Sequence, residues 1–462
     1  MPFMNLTPGS LLTTGLLILA WPGYAQNSPT PEASPPAAVS QTPESSATPA
    51  VSPTTSVSPR AAVSSSPAAN PLPVVFEPLP TLDASVILQP QYLIGPHFTV
   101  RNAVPTYSGS NHYIIDSDFG VFDADGNEML MRRVAEINAI AELQAMSQTK
   151  EFTQAAAQAA QAPLQAAQDL VTNPVSTISS VPKGIWGFFN RAKATVTEAV
   201  AGNDNGGSPG NAMANLTGFS RTKRDLSLKL GVDPYSTNQV FQSKLNQVAW
   251  PAFLGKITVD VAMAAVGGPA LSAVNLTGRL TTALRDKNPA ELRQMNRDLL
   301  MNNMGVSAET ADAFLYNSAI SPTTQTLLVA ALGQLGNIPG QAEFIRQAAS
   351  SQDEHDGLAF QQSAQLMANL NNSQPVVRIM QLEGLTVCLT KDGMLVIPIQ
   401  WDYVVWTPGA KRFLTALKAE NFGEPVSSYS LIVTGAISPL ADQELSVDGI
   451  SVTTKALPGP LR

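Results

Sequence analysis

The chain has 462 residues, with 27 Lys or Arg, 35 Asp or Glu and a formal net charge of −8. This length is sufficient for two or three domains and a sizeable core. The acidic balance excludes the overall basic charge of a general nucleic-acid binder, so we expect no nucleic-acid partner. One cysteine and three histidines provide neither an intramolecular disulfide nor enough ligands for an ordinary zinc site. We therefore expect no metal and no cofactor.

The first residues have the pattern of a cleavable export signal. An apolar run, LLTTGLLILAW, occupies residues 11–21 and is followed by the small residues around Ala25. A membrane-spanning helix needs about 20 apolar residues, whereas a short run before small residues is typical of a signal peptide. No Lys or Arg precedes the run, which departs from the usual signal. We predict a signal peptide over residues 1–25 and an exported protein, periplasmic or extracellular.

A low-complexity segment occupies residues 26–80. Of its 55 residues, 38 are Pro, Ser, Thr or Ala, and four are charged. A segment of this composition cannot bury enough apolar surface to offset the conformational entropy lost on ordering. Its spaced prolines favour extended polyproline II conformations. We predict a disordered linker that acts as a semi-stiff spacer.

Short apolar runs separated by turn residues indicate a strand-rich region over residues 81–133. The runs are ASVILQPQYLI, HFTV, HYIID, FGVFD and MLMRR. The pair Asp125-Gly126 stands between the last two runs. Because Asp-Gly readily adopts the positive φ angles of a tight turn, the pair predicts a β-hairpin there. The nearby acidic residues lack the ligand spacing of an EF-hand, so we expect no calcium loop.

A helical domain is predicted over residues 134–374. Its first part, residues 134–162, contains no Gly or Pro and is rich in Ala, Gln and Glu, which are strong helix formers. Apolar side chains recur at helical spacing at Ile137, Ile140 and Leu143, so this helix needs a covering surface. That surface comes either from another part of the chain or from a second copy. The second case would give a homo-oligomer through the 134–162 helix.

Further helices in this domain are indicated by their N-terminal residues. Asn288, Ser307 and Ser321 each precede a helix-forming stretch, and so does the sequence NIP at residues 337–339. Each of these helices is too short to be stable alone, so we expect them to pack as a bundle. The apolar stretch 251–276 is interrupted by charges and by Gly-Gly-Pro. It favours a buried helix pair over a membrane span.

One block of this region resembles known sequences. Residues 229–238 (KLGVDPYSTN), together with residues 113–120 (YIIDSDFG) upstream, look like segments of uncharacterised exported bacterial proteins. The resemblance covers a small part of the chain and implies no activity. It is consistent with export from a bacterial cell.

A second strand-rich region is predicted over residues 375–462. The runs LTVCLT and MLVIPI flank Lys391-Asp392-Gly393, and Asp448-Gly449 lies within the apolar run 445–452. Both Asp-Gly pairs predict β-hairpins, and a short helix is expected over residues 410–419. We predict an α+β fold in which a helical middle is flanked by two β-hairpin regions, whose strands could share a small antiparallel sheet.

The candidates for covalent chemistry in this sequence are few. By strand alternation Cys388 lies on the face of Thr386 and Thr390, so we expect it to be less buried than a core cysteine. A nucleophile also needs a base, and the only imidazoles belong to His97, His112 and His355. We interpret Cys388 as a small packing residue; in an exported protein it could also pair between chains.

Two short polar motifs admit a catalytic interpretation. Residues 353–356 (DEHD) gather three carboxylates and an imidazole, but consecutive helical residues point in different directions. We interpret this motif as a charged helix start capped by Asp353. Residues 180–183 and 220–223 match the Ser-x-x-Lys pattern of penicillin-recognising enzymes, but no Lys-Thr-Gly triplet follows either. We therefore assign no catalytic residues.

The segment 181–196 mixes aromatic and basic side chains. Such a mixture favours a lipid interface or an acidic partner, although the same residues could dock into the protein core. The candidate interface residues are Lys183, Ile185, Trp186, Phe188, Phe189, Arg191 and Lys193.

Taken together, these features favour an exported cell-envelope protein without enzymatic activity. We expect a scaffold or interaction module on a flexible spacer, with an envelope protein or a membrane surface as its partner. The alternative is an envelope hydrolase whose site is assembled from residues distant in sequence. The hydrolase requires a pocket in which carboxylates and His97, His112, His355 or Cys388 converge, whereas a scaffold requires an uncovered apolar surface.

Overall fold

The first strands of the structure form an antiparallel sheet. The computed structural model describes residues 75–160, 209–253, 255 and 278–462. In this sheet β5 is central, because β3 and β4 pair with one edge of it and β6 with the other. The elements of the region are β1 (Thr81–Asp83), α1 (Ala84–Ile87), α2 (Pro90–Leu93), β2 (Ile94–Gly95), β3 (Phe98–Val100), β4 (Ala103–Tyr107), β5 (Ser110–Ser117) and β6 (Gly120–Asp125).

The hairpin predicted at Asp125-Gly126 is wrong. Strand β6 ends at Asp125, and Gly126, with a φ of 93°, is the N-cap of helix α3 (Asn127–Ser147). The positive φ of Gly126, which is typical of a hairpin turn, here connects the end of a strand to the start of a helix. The run MLMRR, predicted as a strand, therefore lies in the first two turns of α3. The real hairpin joins β5 to β6 through residues 118–119.

The long helix predicted over residues 134–162 is divided. Helix α3 ends at Ser147, and α4 (Lys150–Ala160) begins after a short break. One face of α3, including Leu130 and Ile137, packs against the first sheet. Another face, including Ile140 and Leu143, packs against α4, α5 (Pro209–Lys229) and α6 (Gln239–Phe253). The chain itself thus covers the predicted apolar stripe, while dimerisation through this helix stays a prediction.

Most of the remaining helices of the middle region form a second packed group. Their core is continuous through buried leucine, alanine and phenylalanine side chains such as Leu328, Phe314 and Phe344. The helix α7 (Gly278–Asp286) is not part of this group and packs on α5, where Arg221 bonds to Asp286 and Arg224 bonds to Arg285 O. The helices of the group are α8 (Pro289–Met304), α9 (Ala308–Leu315), α10 (Pro322–Gly333), α11 (Gln341–Ala348) and α12 (Glu354–Asn371). Along the parts of the chain that the structure covers, no helix is both long and apolar enough to cross a bilayer.

Most of the predicted helix starts are confirmed by their caps. Asn288 and Glu291 form a reciprocal capping box at the start of α8. Ser307 and Ser321 cap α9 and α10 by accepting a backbone N–H three residues later. These caps satisfy amide donors that otherwise have no partner in the first turn. At the predicted start near residues 337–339, the N-cap is instead Gly340, which has no side chain to contribute.

The last region contains a mixed sheet with helices on both faces. Its strand order is β13-β11-β9-β8-β7; β7, β8 and β9 are antiparallel, whereas β9, β11 and β13 are parallel. Helices α10–α12 cover one face, and α13 and α14 cover the other. The elements are β7 (Val376–Leu382), β8 (Leu385–Thr390), β9 (Met394–Ile399), β10 (Tyr403–Val404), α13 (Pro408–Ala419), β11 (Ser428–Val433), β12 (Ala436–Ile437), α14 (Pro439–Val447) and β13 (Ile450–Thr453).

Two predictions for this region are wrong and two are confirmed, one of which is the short helix over residues 410–419, observed as α13. Asp392-Gly393 does turn the hairpin between β8 and β9. Asp448-Gly449, however, ends helix α14 before β13 begins, so the run 445–452 contains the end of a helix and the start of a strand. The strands of the two β regions lie in separate sheets, and the second sheet is mixed. The parallel pairs β9–β11 and β11–β13 follow from α13 and α14, because parallel strands need crossover connections. The fold is α+β.

The first described residues are fastened to the second β region. The Glu77 backbone N–H donates to Trp406 O at 2.8 Å. The Glu77 carboxylate accepts the Trp406 backbone N–H at 2.7 Å and the Ser438 hydroxyl at 2.5 Å. Further along, Leu88 forms a β-bridge with Leu461. The start of the first region thus lies against the last strands, and the two regions form a junction.

Candidate functional site

The predicted interface segment cannot be placed. Its residues, Lys183, Ile185, Trp186, Phe188, Phe189, Arg191 and Lys193, lie outside the described residues. The same applies to the predicted signal peptide, to the spacer up to residue 74 and to most of the apolar stretch 251–276. Their proposed roles stay predictions.

Two of the three histidines contact carboxylates at the surface. His97 Nδ1 lies 2.9 Å from Asp118 Oδ2, and His112 Nδ1 lies 2.6 Å from Asp125 Oδ1. Both pairs lie on the first sheet, and the carboxylates of both are about two-thirds exposed, at 65%. Such exposed pairs contribute little to stability. Neither pair faces Cys388 or the third histidine across a pocket.

Cys388 is a core residue, contrary to the prediction of partial exposure. Its side chain is fully buried between β7, β9 and the α10–α12 helices. Strand alternation assigned its face correctly, with Val387 and Leu389 pointing to the opposite side. The prediction assumed that one face of this sheet is exposed to solvent, but helices cover both faces. Burial raises the pKa of the Cys388 thiol to about 12, so it stays protonated and unreactive.

The acidic motif at residues 353–356 is a helix start, as predicted. Asp353 Oδ1 accepts the Asp356 backbone N–H at 2.9 Å and caps α12. Asp356 Oδ2 accepts the Gln352 backbone N–H at 3.0 Å. One ligand atom from each of Asp353, His355 and Asp356 lies within 4.8 Å of the others. Because both carboxylates already bond to backbone amides, this arrangement is explained by capping.

The third histidine belongs to a junction of distant residues. His355, in the first turn of α12, places Nε2 2.9 Å from the hydroxyl of Ser110, the first residue of β5. Beside this pair lies the carboxyl group of Asp402, from the loop between β9 and β10. A Cβ atom at Gly126 would lie 3.4 Å from the His355 ring and 3.5 Å from Asp402 Oδ2. Both are ordinary van der Waals distances, so glycine is favoured at this position by its φ of 93° and not by lack of space.

Asp402 links the two β regions through backbone amides. Its Oδ2 accepts the Asn111 N–H at 2.9 Å, and its Oδ1 accepts the Asn127 N–H at 3.1 Å, at the start of α3. The Asp402 N–H donates in turn to Gly109 O at 2.7 Å. Burial raises the pKa of Asp402 to about 7, and the charge of Glu128 adds to this rise, although the two amide bonds oppose it. A buried carboxyl group therefore titrates near neutral pH at this junction.

A pocket of about 210 Å³ adjoins Asp402. It lies between the first described segment and the last residues of the chain. Its walls are mostly apolar, and cationic side chains line its outer part. The lining residues are Leu82, Val86, Ile87, Asn111, Asp402, Tyr403, Ala436, Lys455, Leu461 and Arg462.

The block GVDPYSTN forms a buried polar contact with α3. Glu136, on α3, accepts hydrogen bonds from Ser236 Oγ at 2.5 Å and from Asn238 Nδ2 at 2.9 Å. The carboxylate of Asp233 lies 3.7 Å from the buried guanidinium of Arg132 and accepts the Thr323 hydroxyl at 2.6 Å. Four polar residues of the block, Asp233, Ser236, Thr237 and Asn238, thus have partners on other elements. The buried hydroxyl of Tyr235 has no hydrogen-bond partner among the described residues. The block holds the α5–α6 connection against α3.

The second Ser-x-x-Lys match does not form a catalytic pair. Ser220 is exposed on α5, whereas Lys223 Nζ donates to Gln242 Oε1 at 3.2 Å. Burial lowers the pKa of Lys223 to about 8. A nucleophilic serine needs its base within hydrogen-bond distance, and Lys223 faces α6 instead. The first match, Ser180 with Lys183, lies outside the described residues.

The junction around Asp402 was missed by the sequence analysis. Ser110 and His355 are 245 positions apart, and no local motif connects them. No protein-family model, curated protein or solved structure matches this chain. The interpretation of the junction and its pocket therefore depends on geometry and chemistry.

Proposed function

We propose that this chain is an exported bacterial cell-envelope protein that acts as a non-enzymatic interaction module held on a flexible spacer. The predicted export signal and the Pro/Ser/Thr/Ala-rich segment support the proposed location and the tether. The surface of the folded part supports the interaction role. Peripheral contact with a membrane through the 181–196 segment belongs to the same proposal.

The observation that carries the proposal is an uncovered apolar segment. Of the ten exposed large hydrophobic side chains among the described residues, five lie within residues 75–94, directly after the predicted spacer. We call residues 75–94 the docking segment. Exposed apolar side chains concentrated in this way mark interaction surfaces. The five are Val75, Phe76, Leu79, Val86 and Ile94, with exposed fractions between 38% and 66%.

The docking segment is presented on a fixed backbone. Glu77 bonds to Trp406 and Ser438, and the Gln89 backbone N–H donates to Pro460 O at 2.8 Å. The Gln89 side-chain amide also donates to the carbonyl oxygens of Gly459 and Leu461, on either side of Pro460. A surface held in this way loses little conformational entropy when a partner binds.

Cell fractionation and site-specific photo-crosslinking test the proposal. We expect a mature N-terminus at Gln26 in the periplasm or medium, or in a salt-extractable membrane fraction if the membrane contact exists. A photoreactive amino acid at Val86 or Ile94 should give a discrete cross-linked species in cells. The same label at Tyr316 or Val447, which are also exposed apolar positions, is the control. An intact Met1 in the cytoplasm, or equal cross-linking at all four positions, would contradict the proposal.

A second candidate function, an envelope hydrolase, is favoured by one observation. The 2.9 Å separation of Ser110 Oγ and His355 Nε2 is that of a nucleophile and its general base. However, the amide of Asn111, which follows the serine, is occupied by Asp402 and is not free to stabilise an oxyanion. A fluorophosphonate probe distinguishes the two functions. Labelling of the full chain that Ser110→Ala abolishes and Ser85→Ala preserves would favour the hydrolase, and the interaction module predicts no labelling of Ser110.

A further inference from the structure

The size and walls of the pocket beside Asp402 select an apolar side chain. Sites for drug-sized ligands occupy roughly 300 to 1,000 Å³, whereas this pocket has about 210 Å³. Leu82, Ile87 and Leu461 supply apolar wall, and Val86, which also lines the pocket, is 65% exposed beside it. This volume suits a single leucine- or phenylalanine-sized group.

The polar groups of the inner pocket are already engaged. Asp402 accepts two backbone amides, and the Asn111 side-chain amide donates to Tyr113 Oη at 3.0 Å. Asn111 Oδ1 accepts the hydroxyl of Thr106 at 2.9 Å. A polar ligand group placed here would have to displace these bonds, which an apolar group leaves intact.

The outer part of the pocket is positively charged. Lys455 and Arg462 are exposed, and no Asp or Glu side chain of the described residues forms an ion pair with either. The acidic group beside them is the α-carboxyl group of Arg462, so two cations against one carboxylate leave a net positive charge here. Arg462 Nε is held by Leu88 O at 2.6 Å, and Lys455 Nζ bonds to Arg462 O. On a chain with a net charge of −8, this is a fixed local site for negative charge.

We infer that this pocket binds a peptide segment of a partner protein, inserting one leucine- or phenylalanine-sized side chain beside carboxylates that contact Lys455 and Arg462. The inference rests on the proposed interaction function and names the partner's chemistry. A cationic ligand would be repelled by the two charges at the outer part. A lipid surface is disfavoured, because such surfaces are recognised by clusters of roughly four to eight basic residues.

Fluorescence anisotropy with designed peptides tests the inference. The probe is a fluorescein-labelled octapeptide with one leucine between two glutamates, titrated with the full chain. We expect saturable binding that weakens at high salt and at least tenfold when the leucine is replaced by alanine. The variant Lys455→Glu should weaken binding at least tenfold, whereas Lys391→Glu, an exposed lysine on the β8–β9 hairpin, should leave it unchanged.

Several outcomes would overturn the inference. They are absence of binding at millimolar chain concentration, equal binding of the leucine and alanine peptides, and equal weakening by Lys455→Glu and Lys391→Glu. If Lys455→Glu lowers the unfolding midpoint, Val86→Asp at the pocket edge replaces it as the test variant. Self-association of the chain that Val86→Asp abolishes would show that a second copy occupies the pocket, which also overturns it.

The peptide assay separates this inference from the proposed function. Discrete cross-links from Val86 or Ile94 in cells, without peptide binding, would overturn the pocket chemistry and leave the docking segment as an interaction surface. Peptide binding in vitro without discrete cross-links in cells would overturn the function and leave the pocket as a binding site.

Discussion

The substitution Asp402→Asn should change how the stability of the protein depends on pH. The pKa of Asp402 is raised from 3.8 to about 7, mainly by burial. In the folded state the carboxyl group therefore keeps its proton over a pH range in which the unfolded chain has lost it. Each pKa unit corresponds to about 1.4 kcal/mol, so the rise corresponds to roughly 4 kcal/mol.

The sign of this contribution follows from proton linkage. Below pH 3.8 Asp402 is protonated in both states, and the fold carries no penalty for a buried charge. As the pH rises towards about 7, the folded state binds more protons than the unfolded state, and stability decreases. An asparagine cannot titrate, but its amide nitrogen would face one of the two backbone N–H donors, at a cost of about 1 to 3 kcal/mol.

The measurement is urea-induced unfolding of both full chains between pH 4 and pH 8. We expect Asp402→Asn to be less stable than the wild type at pH 4 and to gain roughly 3 to 4 kcal/mol relative to it by pH 8. Asp442→Asn, at an exposed carboxylate of α14, is the matched control. Its difference from the wild type in free energy of unfolding should stay constant between pH 4 and pH 8. The reasoning would be refuted if the stability of Asp402→Asn relative to the wild type stayed constant over this range, or if it decreased as the pH rose.

Three further predictions concern stability and reactivity. The Cys388 thiol should not react with a thiol reagent such as DTNB in the native state and should react fully in denaturant; rapid native labelling would disprove its burial. Glu136→Gln should lower the free energy of unfolding by about 3 kcal/mol, because buried donors lose their acceptor; a change below about 0.5 kcal/mol, the range of ordinary surface substitutions, would contradict the network. Gly340→Ala should lower the unfolding midpoint at least twice as much as Gly384→Ala. Both glycines have positive φ, but a Cβ at Gly340 would meet Ile379 O, whereas Gly384 has open space; equal effects would count against this contact.

Local signals in the sequence predicted helix starts better than they predicted turns. A cap such as Ser307 acts on amides within three residues, so the sequence around it contains the whole interaction. An Asp-Gly pair, by contrast, specifies a positive φ but not the element on either side. Gly393 turns a hairpin, Gly126 begins a helix and Gly449 follows one. The element that follows is decided by packing against distant residues.

The junction could not be predicted because its contacts span most of the chain. Asp402 bonds to Asn111 and Asn127, which are 291 and 275 positions away. The same holds for Cys388, whose burial depends on α10–α12 covering a face that strand alternation alone leaves open. Sequence periodicity assigns a side chain to a face, and only the tertiary arrangement decides whether that face meets water.

The hydrogen bonds of Glu77 have a mechanical consequence. A tensile load applied at residue 75 is borne first by the bonds of this one residue to Trp406 and Ser438. The load then passes into the last β region, and the bundle α8–α12 lies off this path. Rupture would begin at Glu77 and would peel away the start of the docking segment while the helices stay folded. Tension on the predicted spacer would therefore act on the proposed docking segment before it acts on the rest of the fold.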